Sequence, residues 1–261
     1  MAALGSCPLP ATMPAMRPTL PVVLLSLATT LAAQEQKEAR FRIGLGLGGG
    51  DFDYETDGSN LDDKTSAGLF RLLFEGTSRQ GIGGGIRLES SVSDDDMFVS
   101  SGFPRTEASN GSMFAHFTYR LDTHRFAMPM CAGFLLNDLT LAEQATDNEI
   151  NFFSFGPYFE LAPEVVLVRG GSTQWSLFGE FGFGFGGTAI DIDGDSRDYN
   201  SVTTFGGIEL GTRVLLGPIE LGLSWVGRWQ SMDESDPEGG QVVLPYDANF
   251  QGGLISFAVV F

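Results

Sequence analysis

Apolar residues alternate with small or polar residues along most of the chain after Gln34. The pattern is plainest in the run FGFGF at residues 181–185, where every second residue is aromatic. A period of two is the spacing of a β-strand, in which successive side chains point to opposite faces. No stretch after Gln34 has the period of a long amphipathic helix, so the chain is predicted to be all-β.

Ten alternating segments are predicted as strands, with turn residues between them. Their predicted bounds are Arg40–Tyr54, Thr65–Glu75, Gly81–Val92, Gly111–Leu121, Arg125–Leu136, Glu149–Val168, Thr173–Ile190, Asn200–Leu216, Ile219–Gln230 and Asn249–Phe261. Most reach the roughly 9–11 residues that a membrane-spanning strand needs. Eight strands is the alternative count, if the first segment or one hairpin is assigned wrongly.

The connections between these segments alternate in length. The short ones are Thr77–Gln80, Asp122–His124, Arg169–Ser172 and Gly217–Pro218, whereas those near residues 55–64, 93–110, 137–148, 191–199 and 231–248 are long and polar. Short turns at one end and long loops at the other are typical of bacterial transmembrane barrels, whose turns are periplasmic. Because every backbone amide must be bonded in hydrocarbon, strands can span a membrane only as a closed barrel. The fold expected is a transmembrane antiparallel up-and-down β-barrel.

The first part of the chain has the composition of a secretory leader. Arg17 precedes an apolar run from Leu20 to Leu31, which is followed by small residues up to Ala33. A basic residue, about a dozen apolar residues and a small-residue cleavage site make a signal peptide, and the run is too short to span a bilayer. Residues 1–33 are therefore expected to be removed and residues 34–261 to form the barrel. Met13 and Met16 are alternatives to Met1 as the start.

The last predicted strand carries apolar residues at alternate positions on one face, and they finish with an aromatic residue. These positions are Ile255, Phe257, Val259 and Phe261. The pattern resembles the C-terminal signature by which outer-membrane barrels are recognised for assembly. The resemblance implies a small, monomeric up-and-down barrel in a bacterial outer membrane. It also implies three partners: outer-membrane lipid, lipopolysaccharide and the barrel-assembly machinery.

Charge and cysteine content limit the other possibilities. The formal net charge is −18, and loss of Arg17 with the leader makes the remainder one unit more negative. Nucleic acid is excluded as a partner, because its phosphates need a basic surface. Of the two cysteines, only Cys131 follows the leader, so no internal disulfide is expected and Cys131 is interpreted as a packed small residue.

Acidic residues concentrate in the predicted long loops, and one loop alternates aspartates beside a glycine. The aspartates are Asp191, Asp193, Asp195 and Asp198. Ca²⁺ prefers such oxygen ligands, which makes this loop a candidate calcium site at the outer surface. It departs from the EF-hand pattern, since Gly194 precedes the third acid and no Glu closes the loop. No other cofactor is expected.

Charged residues on the predicted inner faces are expected to pair inside the barrel. If Gly217–Pro218 is a two-residue turn, Leu216 pairs with Ile219 and the flanking strands are held in one register. Arg213 then lies diagonal to Glu220, and Glu209 lies diagonal to Arg228, within reach of each other. Since an unpaired charge in a narrow interior is costly, these pairs predict an occluded lumen.

Catalytic residues are scarce in this sequence. Outer-membrane proteases and lipid-modifying barrels generally need a His with an acidic or Ser partner, and only His116 and His124 are present. His124 falls in a short turn, and His116 is expected on the inner face as part of a polar network. The function expected is therefore a structural or narrow-pore barrel rather than an enzyme. Two alternatives stay open: a barrel enzyme acting on lipid or peptide around His116, and an adhesion or ligand-binding barrel.

Overall fold

The structure is a computed structural model that describes residues 39–56, 62–94, 97–99, 105–146, 148–195, 197, 199–238 and 240–261. The predicted leader, residues 1–33, lies outside these residues. Eleven strands form one sheet: β1 Arg40–Thr56, β2 Asp63–Thr77, β3 Ile82–Ser93, β4 Thr106–Asp122, β5 Phe126–Glu143, β6 Glu149–Leu161, β7 Glu164–Gly170, β8 Thr173–Ile192, β9 Tyr199–Leu216, β10 Ile219–Met232 and β11 Tyr246–Val260. In these ranges there is no α-helix, and hence no helix long and apolar enough to cross a membrane.

The sheet closes on itself as a ten-stranded antiparallel barrel. Neighbouring strands pair in chain order, and β1 pairs with β11 to close the wall. The strands β6 and β7 occupy one position, because both pair with β5 and with β8. They are separated only at Ala162 and Pro163, and Pro163 has no N–H to donate to the ladder. The predicted fold class and the count of ten are therefore confirmed.

The observed strands extend the predicted ones mainly toward the long connections. We call the two ends of the barrel the short-turn end and the long-loop end. At the short-turn end the β9–β10 turn consists of Gly217 and Pro218, and Leu216 pairs with Ile219. Gly217 has a positive φ of 61°, which glycine adopts without a steric penalty. The register expected from this turn is the observed one.

The direction of the apolar face reverses along β1 and β11. Near the short-turn end of β1 the outward residues are apolar, as at Phe41 and Leu45, whereas Asp53 faces outward near the long-loop end. The inward residues change in the opposite sense, from Arg42 to buried Phe52. The strand β11 shows the same change, with Phe257 outward near one end and Asn249 outward near the other. On these two strands the apolar outer belt covers the short-turn half, and the interior is apolar at the long-loop end.

The Phe-Gly alternation of β8 has a steric role inside the barrel. The phenylalanines of residues 181–185 are exposed on the outer face, and the glycines point inward. A Cβ atom on Gly182 would lie 1.9 Å from the hydroxyl oxygen of Tyr158. The glycine thus leaves the room in which the Tyr158 ring fills the interior.

Candidate functional site

Seven charged side chains from six strands meet inside the barrel. This central network consists of Arg71, Arg87, Glu89, Glu160, Glu180, Glu209 and Arg228. Each member is at an inward position of its strand, because the alternation that places apolar residues outward places these residues inward. The network therefore follows from the alternation of outward apolar and inward charged residues along these strands.

Two ion pairs of the central network cross the lumen. Arg228 Nε of β10 lies 2.9 Å from Glu89 Oε2 of β3, and Arg71 Nη2 of β2 lies 2.8 Å from Glu209 Oε2 of β9. In each case three other strands separate the two partners along the wall. Arg71 Nη2 also lies 2.6 Å from Glu89 Oε1, which joins the two pairs. The opposite walls of the barrel are thus connected through charged side chains.

Arg87 of β3 forms the other crossing connection. Its Nη2 atom lies 2.6 Å from Glu160 Oε2 and its Nη1 atom 3.1 Å from Glu180 Oε2. The guanidinium is also 5.4 Å from the centre of the Phe114 ring, within the range of a cation–π contact. One arginine therefore holds two carboxylates from β6 and β8.

A second charged group lies nearer the short-turn end. It consists of Arg42, Glu75, His116, Arg213 and Glu220. Arg42 Nη2 lies 2.5 Å from Glu220 Oε1, and Arg42 Nη1 lies 3.4 Å from Glu75 Oε2. Arg213 Nη1 is 3.9 Å from Glu220 Oε1 and its guanidinium lies 4.0 Å from the centre of the Phe178 ring. Arg42 is thus the principal cation of this group.

The two diagonal pairs expected from the turn are close, but they are not the shortest contacts of their members. Arg213 and Glu220 approach to 3.9 Å, and Glu209 and Arg228 approach to 3.5 Å. Glu220 is nearer to Arg42, and Arg228 is nearer to Glu89. Sequence reasoning missed Arg42 and Glu75, although both alternate with outward apolar neighbours and so carried the same signal as the others.

His116 is buried within the second group. Its ring stacks on Phe114 with 4.7 Å between ring centres, and its Nε2 atom lies 3.9 Å from Glu75 Oε1. The neighbouring inward residue Thr118 contacts buried Cys131, with 3.4 Å between Oγ1 and Sγ. The imidazole is thus buried near a carboxylate in the short-turn half of the interior.

An apolar layer fills the interior at the long-loop end. Its members include Phe52, Tyr54, Leu139, Phe152, Met232, Tyr246, Phe250 and Leu254. Leu139 has 0% of its surface exposed. Tyr246 stacks on Tyr54 at 5.3 Å and packs edge-on against Phe152 at 4.7 Å. Met97 and Phe98 of the β3–β4 connection belong to the same buried cluster.

The aspartate-rich loop is organised by an arginine. Arg197 Nε lies 2.7 Å from Asp195 Oδ1, and Arg197 Nη2 lies 2.5 Å from Asp195 Oδ2. These bonds lower the pKa of Asp195 to about 2. Asp191 is exposed and Asp198 lies outside the described residues. Within the described ranges no three acidic, His or Cys side chains are grouped closely enough to hold a metal, so the calcium site stays a prediction.

The predicted assembly residues lie together on the outer face of β11 and just beyond it. Ile255 and Phe261 are 67% and 70% exposed, and Phe257 and Val259 are on the same face. The Phe261 N–H donates to the Phe41 carbonyl at 2.8 Å, and the Phe41 N–H donates back at 3.2 Å. The face is thus part of the apolar belt beside the closing seam, and its role in recognition stays a prediction.

Comparison with known proteins gives one family match. The family model described as "Outer membrane protein beta-barrel domain" matches residues 20–254, which is most of the chain. No curated protein sequence matches the chain.

Several solved barrels have similar folds at low identity. The outer membrane protease OmpT from Escherichia coli is 11% identical, with a TM-score of 0.47, and the match covers 87% of this chain and 97% of that one. The translocator domain of the autotransporter NalP from Neisseria meningitidis is 10% identical, with a TM-score of 0.39 and coverage of 92% and 94%. Neisserial surface protein A is 10% identical, with a TM-score of 0.37 and coverage of 85% and 99%. These similarities are too distant to transfer an activity.

Proposed function

The chain belongs to the outer membrane protein β-barrel domain family, and from this premise we propose that it is an occluded barrel with a structural role in the bacterial envelope. The proposal rests on the two ion pairs that cross the lumen, Arg71–Glu209 and Arg228–Glu89. Removing either partner of such a pair would leave an unpaired charge in a narrow interior, which is costly. The crossing side chains therefore favour a closed, bonded interior over an open channel.

The apolar layer at the long-loop end supports the same proposal. It lies beyond the central network along the axis of the barrel, and it includes the fully buried residues Leu139, Met232 and Leu254. A polar solute would have to leave water to pass this layer, and an apolar solute would then meet the central network. Two layers of opposite character thus oppose passage of either kind of solute.

The orientation and partners follow from the barrel topology. Short turns of transmembrane barrels are periplasmic, so the acidic long loops would face the outside of the cell. Pairing of β1 with β11 closes the wall, and the described strands leave no unpaired edge, which supports a monomer. The proposed partners are outer-membrane lipid, lipopolysaccharide and the machinery that assembles barrels. The leader predicted at residues 1–33 would supply the export that this location requires.

Conductance in planar lipid bilayers tests the proposal directly. We expect the wild-type barrel to insert without resolved channel steps. The double variant Arg71→Ala/Glu209→Ala, which removes one crossing pair without leaving a lone charge, should show a measurable increase in conductance. The double variant Lys64→Ala/Asp51→Ala is the matched control, because it removes an ion pair of 3.0 Å on the exposed outer face. Large, stable channel steps from the wild-type protein would rule out an occluded barrel.

A further inference from the structure

The outer surface of β5, β6 and β8 carries a group of exposed phenylalanines that extends toward the long-loop end. We call this group the phenylalanine face, and its members are Phe134, Phe153, Phe155, Phe183 and Phe185. The rings of Phe134 and Phe155 stack, with 5.3 Å between their centres and 7° between their planes. Phe155 pairs with Gly187 and is therefore a diagonal neighbour of Phe185. The five residues thus form one contiguous apolar surface on three neighbouring strands.

This surface is taller than the apolar surface of β1. Both β1 and β8 begin at the short-turn end, β1 at Arg40 and β8 at Thr173. The last large apolar residue on the outer face is Leu47 in β1 and Phe185 in β8. Phe185 lies about five residues further along its strand, which at about 3.3 Å per residue and a strand tilt of about 35–45° is on the order of 10 Å along the barrel axis. The apolar belt is therefore wedge-shaped, with its tall side on β6 and β8.

On the tall side the wall is apolar on both of its faces. In β6 the inward Phe152 is 2% exposed, and the next residue, the outward Phe153, is 50% exposed. In β1, by contrast, the inward Phe52 lies between the outward Asp51 and Asp53. Strands that are apolar on both faces are typical of sheets that are covered on both sides. The interior covers Phe152, and the pattern indicates that an apolar medium covers Phe153.

The phenylalanine face has a sharp upper boundary and no lower one. Beyond it, toward the long-loop end, the outward residues become polar at Asp138 of β5, Asn151 of β6 and Asp191 of β8. Toward the short-turn end it continues without a charged residue into Phe159 and Phe181, which belong to the apolar belt. Because the belt of an outer-membrane barrel contacts lipid, this continuity favours lipid over a separate protein partner.

We propose that the phenylalanine face binds the acyl chains of the leaflet on the long-loop side, so that hydrocarbon reaches higher on β6 and β8 than on β1 and β11. A belt of unequal height is matched to a bilayer by tilting of the barrel or by local thickening of the leaflet. Burial of five phenylalanine rings in hydrocarbon supplies the driving force, since apolar surface is removed from water. The face lies outside the barrel, so this inference does not depend on whether the lumen is occluded.

The experiment compares two outward positions at comparable heights on different walls of the barrel, Phe155 of β6 and Asn249 of β11. Phe155→Cys and Asn249→Cys each receive a nitroxide label, and both variants also carry Cys131→Ala so that one thiol reacts. The refolded barrels are placed in phosphatidylcholine vesicles at a large excess of lipid. Collisions of the label are measured with oxygen, which concentrates in hydrocarbon, and with a water-soluble nickel chelate. We expect oxygen to dominate at Phe155 and the nickel chelate to dominate at Asn249.

Unfolding in the same vesicles gives a second measurement. Phe155→Arg should lower the folding equilibrium constant about thirtyfold or more, whereas Asn249→Arg should change it less than about fivefold, because a charge is costly only where the outer face meets hydrocarbon. If Phe155→Arg does not fold, the nitroxide labels carry the test. Equal nickel accessibility at the two positions would place the phenylalanine face in water and overturn the proposal. Low accessibility of Phe155 to both reagents would mean that protein covers the face, a second copy if the labels broaden each other, and would overturn it as well.

Discussion

Arg228 of β10 reaches across the lumen to Glu89 of β3, with 2.9 Å between Nε and Oε2 and 3.0 Å between Nη2 and Oε1. Two parallel bonds between a guanidinium and a carboxylate combine charge with a planar geometry, which makes the pair directional as well as strong. Because Glu89 also contacts Arg71 at 2.6 Å, this carboxylate connects two cations in the interior. The stability of the barrel should therefore be sensitive to Glu89.

Glu89→Ala should lower the free energy of unfolding by about 3–5 kcal/mol, since removing one partner leaves buried charge without compensation. The measurement is urea-induced unfolding in lipid vesicles. Asp51→Ala is the control, because the Asp51–Lys64 pair is half-exposed and such pairs contribute less than about 1 kcal/mol. Equal losses in the two variants would contradict the assigned role of the central network.

The reversal of the apolar face along β11 predicts where the membrane lies. Phe257→Arg should cost about 2–4 kcal/mol of stability in lipid, whereas Asn249→Arg on the same face should cost about 0–1 kcal/mol. The reason is that Phe257 is in the apolar belt and Asn249 is beyond it. The free energy of unfolding in vesicles is the readout. A large cost at Asn249 would place that residue in hydrocarbon and would contradict the boundary.

Removal of Phe261 should reduce assembly. The residue exchanges two backbone hydrogen bonds with Phe41 at the closing seam, and its ring lies 6.3 Å from that of Phe41. We expect less heat-modifiable, folded protein in the outer membrane for the deletion, and near wild-type amounts for Phe261→Tyr. Normal assembly of a variant that lacks residues 259–261 would contradict a role for this face in assembly.

Calcium binding by the aspartate loop is tested by melting. If Asp193 and its neighbours hold Ca²⁺, millimolar Ca²⁺ should raise the melting temperature, and Asp193→Ala should abolish the rise. Because Arg197 donates hydrogen bonds to both carboxylate oxygens of Asp195, Arg197→Gln should increase the rise in melting temperature that Ca²⁺ causes. Asp94→Ala is the control from a different loop. An equal rise in wild type and Asp193→Ala would leave only diffuse loop charge as the cause.

The Asp195–Arg197 pair has a defined pH dependence. The pKa of Asp195 falls from its ordinary 3.8 to about 2, chiefly because Arg197 donates hydrogen bonds to its charged form. Because this carboxylate pKa is lowered by folding, the pair stabilises the folded loop fully at pH values above the unfolded pKa of 3.8. That stabilisation is lost as the pH falls toward the folded pKa of about 2. The loop should thus keep its order at pH 4 and lose it on acidification toward pH 2. NMR titration of Asp195 measures this, and Arg197→Gln should return its pKa toward 3.8.

The sequence by itself determined the fold class, the number of strand positions and the topology. Period-two alternation identified the segments, and the alternation of short and long connections indicated which end each turn occupies. The Gly217–Pro218 turn placed Leu216 opposite Ile219. This register in turn determined which residues of the adjacent strand lie beside Arg213 and Glu209. These features depend on residues close in sequence or on directly paired strands, so local rules are sufficient to predict them.

Only the tertiary structure decided which charges bond across the lumen. Arg228 was expected beside Glu209 on the next strand, yet its shorter bonds are to Glu89, with three other strands of the wall between them. Closure of the sheet brings β3 opposite β10. The residue pattern within either strand does not predict how close Arg228 and Glu89 come to each other. The apolar layer at the long-loop end arises in the same way, because Phe52 and Phe152 come together only when the wall is curved into a barrel. Strand pairing is a local property of sequence, whereas contacts across the interior depend on the curvature of the whole sheet.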